Sequence, residues 1–219
     1  MTPMAPATLP IPAPPPLPAL AAALAAPTEL AQAAAVLAAA GVPTAGLTLG
    51  SGDRVLLRLH RALTGRDVTI AAACAACGVL GEVTLTADTL PSPSALDDRS
   101  VRPPTYADLA GLPPGAAGAT ELLRRCTVAG RGPATADALA AVDDSLCGPL
   151  VFACPACAEP VRCAVDAQTL ALRGLLDLLR RYDREIHLLA SAYHWDLSTI
   201  EALPDTRRSR LAGYVEAER

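Results

Sequence analysis

Four cysteines, arranged as two pairs with the same spacing, are the residues of this 219-residue chain best suited to chemistry. Cys74 pairs with Cys77, and Cys154 pairs with Cys157, each as Cys-x-x-Cys. Two thiolates three positions apart on a tight turn bind a metal ion from the same side, and a second such turn completes a tetrahedral site with four sulfur ligands. The spacing therefore predicts a structural Zn²⁺ ion in a closed site, which leaves no coordination position for catalysis.

The segments around the two pairs, each of which we call a knuckle, repeat one another. A shift of 80 positions lays Cys74 on Cys154 and Thr89-Leu90 on Thr169-Leu170 without a gap. Each knuckle lies between two strand-like runs, which indicates two copies of one β-hairpin. We place these hairpins at residues 67–90 and 148–167. Two hairpins around one zinc ion make a zinc ribbon, and the long segment between the knuckles predicts a ribbon split by an insertion.

Two other interpretations of the four cysteines remain, namely ordinary buried residues and a disulfide pair. A thioredoxin-like redox site is disfavoured, because it needs one Cys-x-x-Cys that opens a helix, whereas both pairs here lead into strands. Seven cysteines are an odd number, which fits a reducing compartment with a metal better than a secreted disulfide scaffold. We expect Cys163 to be a small sheet residue, and Cys126 and Cys147 to be free thiols.

Composition and charge narrow the class of protein. The net charge is −4 and the charged residues are interspersed, which argues against a dedicated nucleic-acid binder. Residues 1–27 are rich in Pro and Ala and carry no Lys or Arg, so a signal peptide is disfavoured. The chain contains no uninterrupted apolar run of 18 residues, and we therefore predict no membrane segment and a cytoplasmic location.

The pattern predicts an α+β fold in which helices surround the split ribbon. Residues 1–44 are predicted to be a disordered, Pro/Ala-rich N-terminus with one short helix over 29–40, and residues 45–219 a single domain. The expected parts of that domain are a helix over 54–63 capped by Asp53, the hairpins at 67–90 and 148–167, a helical insertion at 91–147 with helices over 105–110, 120–126 and 135–142, and a C-terminal helical bundle at 168–219, with helices from Gln168 to Tyr193, to Ala202 after Asp196, and over 205–218.

Several other polar residues are interpreted as structural. The adjacent carboxylates Asp143 and Asp144 are expected in a solvated loop, because nothing nearby in sequence supplies a partner. The histidines do not occur in a metal-binding His-Glu-x-x-His arrangement and are expected to be structural; they are His60, His187 and His194. The basic run Arg207-Arg208-Ser-Arg210 is expected on a solvated or partner-facing surface. The sequence contains no phosphate loop and no nucleophile–base motif, so an enzyme is disfavoured.

The C-terminal sequence resembles the baseplate-hub assembly family of T-even-like contractile phages, with relatives in prophages and in extracellular contractile injection systems. The elements that carry the resemblance are Glu185-Ile-His187, Ala190, Tyr193, Trp195, Ile200, Ala202, Leu203 and Arg207-Arg208. Upstream similarities are Leu56–Gly65, the first knuckle, Arg102–Thr105, Asp108-Leu109 and Leu122–Cys126. The resemblance covers roughly residues 50–217. It departs at Leu203-Pro204, where a small polar cap is expected before the proline.

The resemblance implies a non-enzymatic protein that builds or completes a baseplate hub by recognising hub or wedge proteins, and it offers no catalytic residues. The alternative is a zinc-ribbon protein associated with nucleic acid, such as a transcription accessory factor. Such a ribbon needs basic residues and stacking rings on its hairpins. This chain has Glu82, Asp88 and Glu159 there instead, which disfavours a nucleic-acid partner.

Overall fold

The computed structural model describes residues 13–87, 100–131 and 134–218. Asp88, Thr89, Leu90, the first twelve residues and the start of the predicted insertion lie outside these ranges. Helices and antiparallel strands alternate in the described chain, and the α+β class is confirmed. The helices are α1 Leu17–Leu24, α2 Glu29–Ala39, α3 Leu49–Thr64, α4 Tyr106–Leu109, α5 Ala116–Cys126, α6 Ala136–Val142, α7 Ala167–Tyr193, α8 Leu197–Glu201 and α9 Asp205–Ala217. The strands are β1 Val68–Ala73, β2 Leu80–Leu85, β3 Cys147–Ala153 and β4 Pro160–Asp166.

The chain divides into two compact units, the first running through Gly174 and the second beginning at Leu175. This differs from the single domain predicted for residues 45–219. The reason lies in α7, whose start is buried in the first unit at Ala167 and Ala171, whereas its later residues Leu188 and Leu189 belong to a separate apolar cluster. Among the described residues, none of the helices has the length and apolar character that crossing a bilayer requires.

The N-terminal segment contains a helix, α1, from residue 17, where the sequence predicted disorder before the short helix over 29–40. Pro18 lies in the first turn of α1, where a missing N–H leaves no helical hydrogen bond unmade. Thr28 caps α2, because its hydroxyl oxygen accepts a hydrogen bond from the backbone N–H of Ala31. Contacts of α1 with α2, and of α2 with α3, bury Leu20 and Leu37 completely. The leucine and alanine residues of this segment therefore form packed helices although the segment is rich in proline.

Helix α3 begins five residues before its predicted start, at Leu49, and its cap is Thr48 rather than Asp53. The hydroxyl oxygen of Thr48 accepts a hydrogen bond from the N–H of Ser51 at 3.2 Å. Asp53 consequently lies inside the helix and is 3% exposed. Its carboxyl group is therefore available for contacts with other elements of the fold.

Two glycines in the first turns of α3 allow other segments to approach the helix closely. A Cβ atom at Gly50 would clash with the backbone of Asp144, and one at Gly52 would clash with the ring of Tyr106. Glycine lowers helix propensity by about 1 kcal/mol relative to alanine, so this turn depends on tertiary contacts. The glycines are therefore packing residues within a helix and not a loop.

The two hairpins have the same strand register at the 80-residue offset. In the first hairpin Ala73 pairs with Leu80, and in the second Ala153 pairs with Pro160. Each pair of strands is antiparallel and forms its own two-stranded sheet. Strand β1 contacts β4, which brings the hairpins side by side. The repeat seen in the sequence is therefore a repeat of structure.

The insertion contains α4, α5 and α6 close to their predicted positions. A capping box begins α4, because Thr105 accepts from the N–H of Asp108 while the Asp108 carboxylate accepts from the N–H of Thr105. Arg102 donates two hydrogen bonds to the same carboxylate, at 2.6 and 2.8 Å. The guanidinium holds the pKa of Asp108 well below its usual range. This bidentate pair ties the chain before α4 to the first turn of that helix.

The second unit packs the later part of α7 against α8 and α9 around Leu189 and Ile200. A buried ion pair crosses this unit, with Arg208 Nε 2.9 Å from Glu185 Oε2. The Arg208 guanidinium also lies over the ring of Tyr182, 4.5 Å from its centroid. Ser209 donates to the other Glu185 oxygen at 2.6 Å. The expectation of a solvated surface is therefore wrong for Arg208, while Arg210 is exposed.

Replacing Arg208 by leucine is expected to destabilise the second unit by about 3 kcal/mol, because Glu185 is then left buried without its cation. The control is Arg210→Leu on the exposed side of the same helix, which should change stability by less than about 0.5 kcal/mol. Trp195 is the single tryptophan of the chain and lies in this unit, so urea unfolding followed by its fluorescence measures this unit. Equal midpoints for the two variants would contradict the role given to the pair.

Candidate metal centre

Each knuckle is closed by two backbone hydrogen bonds. In the first hairpin the N–H of Cys74 donates to the carbonyl of Val79 at 2.9 Å, and the N–H of Gly78 donates to the carbonyl of Cys74 at 2.8 Å. The same two bonds recur in the second hairpin at 2.8 and 3.0 Å. These bonds close a tight turn, so both cysteines of a pair project from the same side of their hairpin.

The structure brings all four predicted cysteines into one cluster, with their sulfur atoms within 4.8 Å of one another. The contacts cross between the hairpins. The Sγ atom of Cys74 lies 3.7 Å from that of Cys157, and the Sγ atom of Cys77 lies 3.6 Å from that of Cys154. The thiols of Cys77 and Cys157 are 3.5 Å apart. Four sulfur donors at these separations form a candidate metal site.

The cluster has a buried side and an exposed side. Cys74 and Cys154, the first cysteine of each knuckle, are each 3% exposed, while Cys77 and Cys157 are exposed to solvent. Val161 and Phe152 pack behind the buried pair. The site is therefore seated on an apolar base formed by the hairpins and opens only at its outer edge.

The electrostatics of the thiols oppose more than one negative charge in the absence of a cation. The backbone N–H groups of Ala156 and Cys157 point at the Cys154 sulfur and lower its pKa to about 6. The backbone N–H of Glu159 acts in the same direction on Cys157. The neighbouring Cys77 thiol, desolvation and the other two thiols outweigh it and raise the pKa of Cys157 to about 12. A divalent cation bound by the four cysteines would remove this conflict, because it would stabilise all four thiolates together.

The remaining cysteines stand apart from the cluster. Burial raises the pKa of the Cys126 thiol, and burial also raises that of Cys147. Cys163 lies in β4 opposite Leu150, as expected of a small sheet residue. All three have free thiols.

A buried carboxylate that sequence reasoning assigned to solvent lies near the start of β3. Asp144 is 2% exposed, and it accepts hydrogen bonds from the Thr48 hydroxyl at 2.8 Å and from the N–H of Gly50 at 3.1 Å. Arg54 forms an ion pair with it at 3.7 Å. The solvated-loop interpretation is therefore wrong for Asp144, whereas Asp143 is exposed. Gly50 and Gly52 were the sequence features that could have indicated this burial, because glycines within a helix allow another segment to approach closely.

Fold and site together define an α+β protein with a four-cysteine cluster of the kind that holds a metal ion. The chain matches no family model, no curated protein and no solved structure. The resemblance to baseplate-hub assembly proteins therefore stays a prediction made from sequence.

The knuckles carry different residues at an equivalent position of positive φ, which gives a matched pair of variants. Gly78 and Ala158 are equivalent and both have positive φ, 75° and 62° respectively. Ala158→Gly is expected to stabilise the protein by roughly 0.5–1 kcal/mol, and Gly78→Ala to destabilise it by about 1 kcal/mol, because only glycine adopts this conformation without strain. A Cβ at Gly78 meets no atom within 4 Å, so the cost is confined to the backbone.

Urea unfolding followed by far-UV circular dichroism measures both effects. Ala156→Gly is the control, because Ala156 lies in the same knuckle without positive φ and gains nothing from glycine. Stabilisation by Ala156→Gly as large as that by Ala158→Gly would contradict the assignment of strain to residue 158.

Proposed function

We propose that Cys74, Cys77, Cys154 and Cys157 hold a structural Zn²⁺ ion and that the two hairpins form a split zinc ribbon. The observation that carries this proposal is the spacing of the sulfur atoms. A tetrahedral site with Zn–S bonds of about 2.3 Å has S···S edges of about 3.8 Å. Three of the four Sγ–Sγ separations between the hairpins are 3.5, 3.6 and 3.7 Å, and all four sulfur atoms lie within 4.8 Å of one another, so small movements of the side chains complete the tetrahedron.

The ion would act as a crosslink and not as a reagent. Bound Zn²⁺ supplies bonds to four thiolates and no open coordination position. The residues of the chain supply the rest: backbone N–H groups stabilise the Cys154 thiolate, and the apolar base excludes water from the inner pair. The crosslink joins two small hairpins, each of which is marginal by itself.

We further propose that the protein is a non-enzymatic assembly or structural component of the baseplate hub of a phage-like contractile tail or injection system. The support is the C-terminal resemblance. Its residues include the buried Glu185, Ile200 and Arg208 of the second unit, and Trp195, whose ring stacks on Tyr193 with centroids 4.9 Å apart. Because several of these residues are buried, the resemblance involves residues that determine the fold of the second unit. Chance similarity between surface residues would be weaker support.

Recognition of protein partners is the mechanism that suits this proposal. Large apolar side chains are exposed on both units, and those that adjoin one another, such as Val79 and Leu80, could contact a protein partner. The exposed side chains are Val79, Leu80, Val151, Tyr193, Leu197 and Tyr214. The partners would be hub or wedge proteins, met in the cytoplasm during assembly.

Purified protein is expected to contain one zinc per chain by elemental analysis. Cys77→Ser and Cys157→Ser should each lose most of the metal, because three thiolates and a hydroxyl bind zinc more weakly than four thiolates. Cys163→Ser is the matched control, since it lies in the second hairpin outside the cluster and should retain the metal. Iron in place of zinc, or a folded wild-type protein without metal, would overturn the zinc assignment.

Deleting the gene from a strain that produces contractile particles is expected to abolish or sharply reduce sheathed tails seen by electron microscopy. Wild type and Cys163→Ser should restore assembly, and Cys77→Ser should not.

Leu80→Asp tests recognition separately, because Leu80 is 65% exposed and its replacement should leave zinc content unchanged while it weakens assembly. Normal tails in the deletion strain would refute the baseplate role, and a salt-sensitive shift of DNA or RNA would favour the nucleic-acid alternative.

A further inference from the structure

Helix α3 links the two hairpins at their entry points. Its C-terminal end leads through Gly65 into β1, which begins at Val68. Its N-terminal turns are hydrogen-bonded to residues 144–146, directly before β3 begins at Cys147. One helix therefore sets the position from which each hairpin starts, although the hairpins are far apart in sequence.

Three hydrogen bonds join the start of α3 to residues 144–146, and we call them the clasp. Two are accepted by Asp144, from the Thr48 hydroxyl at 2.8 Å and from the N–H of Gly50 at 3.1 Å. The third runs in the opposite sense, from the N–H of Leu146 to Asp53 Oδ2 at 3.0 Å. Each side of the contact thus supplies one carboxyl group.

The carboxyl group of Asp53 faces mainly negative and neutral groups. It lines a cavity of about 300 Å³ together with Glu29 from α2, Cys147 from β3, Asp166 from β4 and Gln168 from α7. Asp143 and Asp144 act on it from the preceding loop, and Tyr106 faces it from α4. Arg54, which follows Asp53 in α3, is ion-paired with Asp144 at 3.7 Å. Ionisation of Asp53 therefore adds charge to a region that already holds several carboxylates.

We propose that the clasp is a proton-operated latch on the second hairpin, in which protonated Asp53 holds residues 144–146 against α3 and ionised Asp53 loosens them. The geometry is suited to this, because the Leu146 amide bonds the carboxyl group in either protonation state while the repulsion from Asp144 and Asp166 exists only in the ionised state. The latch acts at the first residue before β3, so loosening reaches the strand that leads to the second knuckle.

The direction of the pH dependence follows from the environment of Asp53. Burial raises its pKa from 3.8 to about 7; the Leu146 N–H opposes the shift, and Asp166, Asp144 and Asp143 add to it. Because the pKa in the closed state is raised, the stabilisation is complete below the ordinary pKa and is lost as pH rises through about 7. The latch is therefore tighter in mildly acidic solution and looser above neutrality.

Hydrogen exchange of the Leu146 amide, measured by NMR on the full chain, tests the latch directly. Its opening equilibrium constant, corrected for intrinsic exchange, should rise roughly tenfold from pH 5 to pH 6 and less than about twofold from pH 7 to pH 8. In Asp53→Asn the amide oxygen still accepts from Leu146, but the constant should be nearly independent of pH. The same slope in wild type and in Asp53→Asn, or no slope in wild type, would overturn the proposal.

A second variant protects the test if Asp53→Asn fails to fold. Asp166→Asn removes one charge that raises the pKa of Asp53, so the plateau should move to lower pH; an unchanged plateau would contradict the proposal. The Cys74 amide reports on the metal centre in the same spectra. The clasp includes none of the four cysteines. Loss of a metal ion increases as pH falls, whereas opening of the latch increases as pH rises. A change at the metal site can therefore be told apart from a change at the clasp.

Discussion

The convergence of four thiols from two hairpins is the constraint on which the first unit depends. Each hairpin has only two strands, and such a sheet is marginal in water without further contacts. Six aromatic residues in the whole chain leave a core of leucine, valine and alanine, which gain less per residue than rings do. The contact of β1 with β4 brings the hairpins together, and the sulfur cluster at the knuckles would join them further with the proposed Zn²⁺ ion bound.

Helix α3 extends this constraint to the rest of the first unit. Its first turns receive Asp144 and Tyr106 against glycines, and its last turn places the ring of His60 against Gly174, where a Cβ would clash with the imidazole. The imidazole bonds the carbonyl of Arg66 at 3.0 Å, and burial lowers its pKa. The helix thus contacts the insertion and the start of α7 through close approaches, and it also contacts β1. A glycine at each of the close approaches makes it sterically permissible.

Local signals carried most of what could be predicted. The knuckles and their flanking strands are recognisable as a repeat in the sequence. The capping residues Thr105, Thr135 and Asp196 directly precede their helices, so these helix starts are also visible in the sequence. The clasp could not be found in this way, because Asp53 and Leu146 meet across 93 positions and share no periodicity. The same holds for Glu185 and Arg208. Arg208 was expected on a surface and is buried instead. Its burial depends on the packing of α7 with α9, which the local sequence does not show.

The offset between the knuckles has a consequence for biosynthesis. Ribosomes add about 5–20 residues per second, so the second knuckle follows the first by roughly 4–16 s. During that interval the nascent chain presents two thiols without their partners, and a two-thiol site binds a metal ion only weakly and leaves it open to other ligands. Neither hairpin can acquire its final neighbours until residue 157 has left the exit tunnel. Metal loading of the proposed zinc site would therefore be a late event, open to competition from cellular thiols while the chain is still being made.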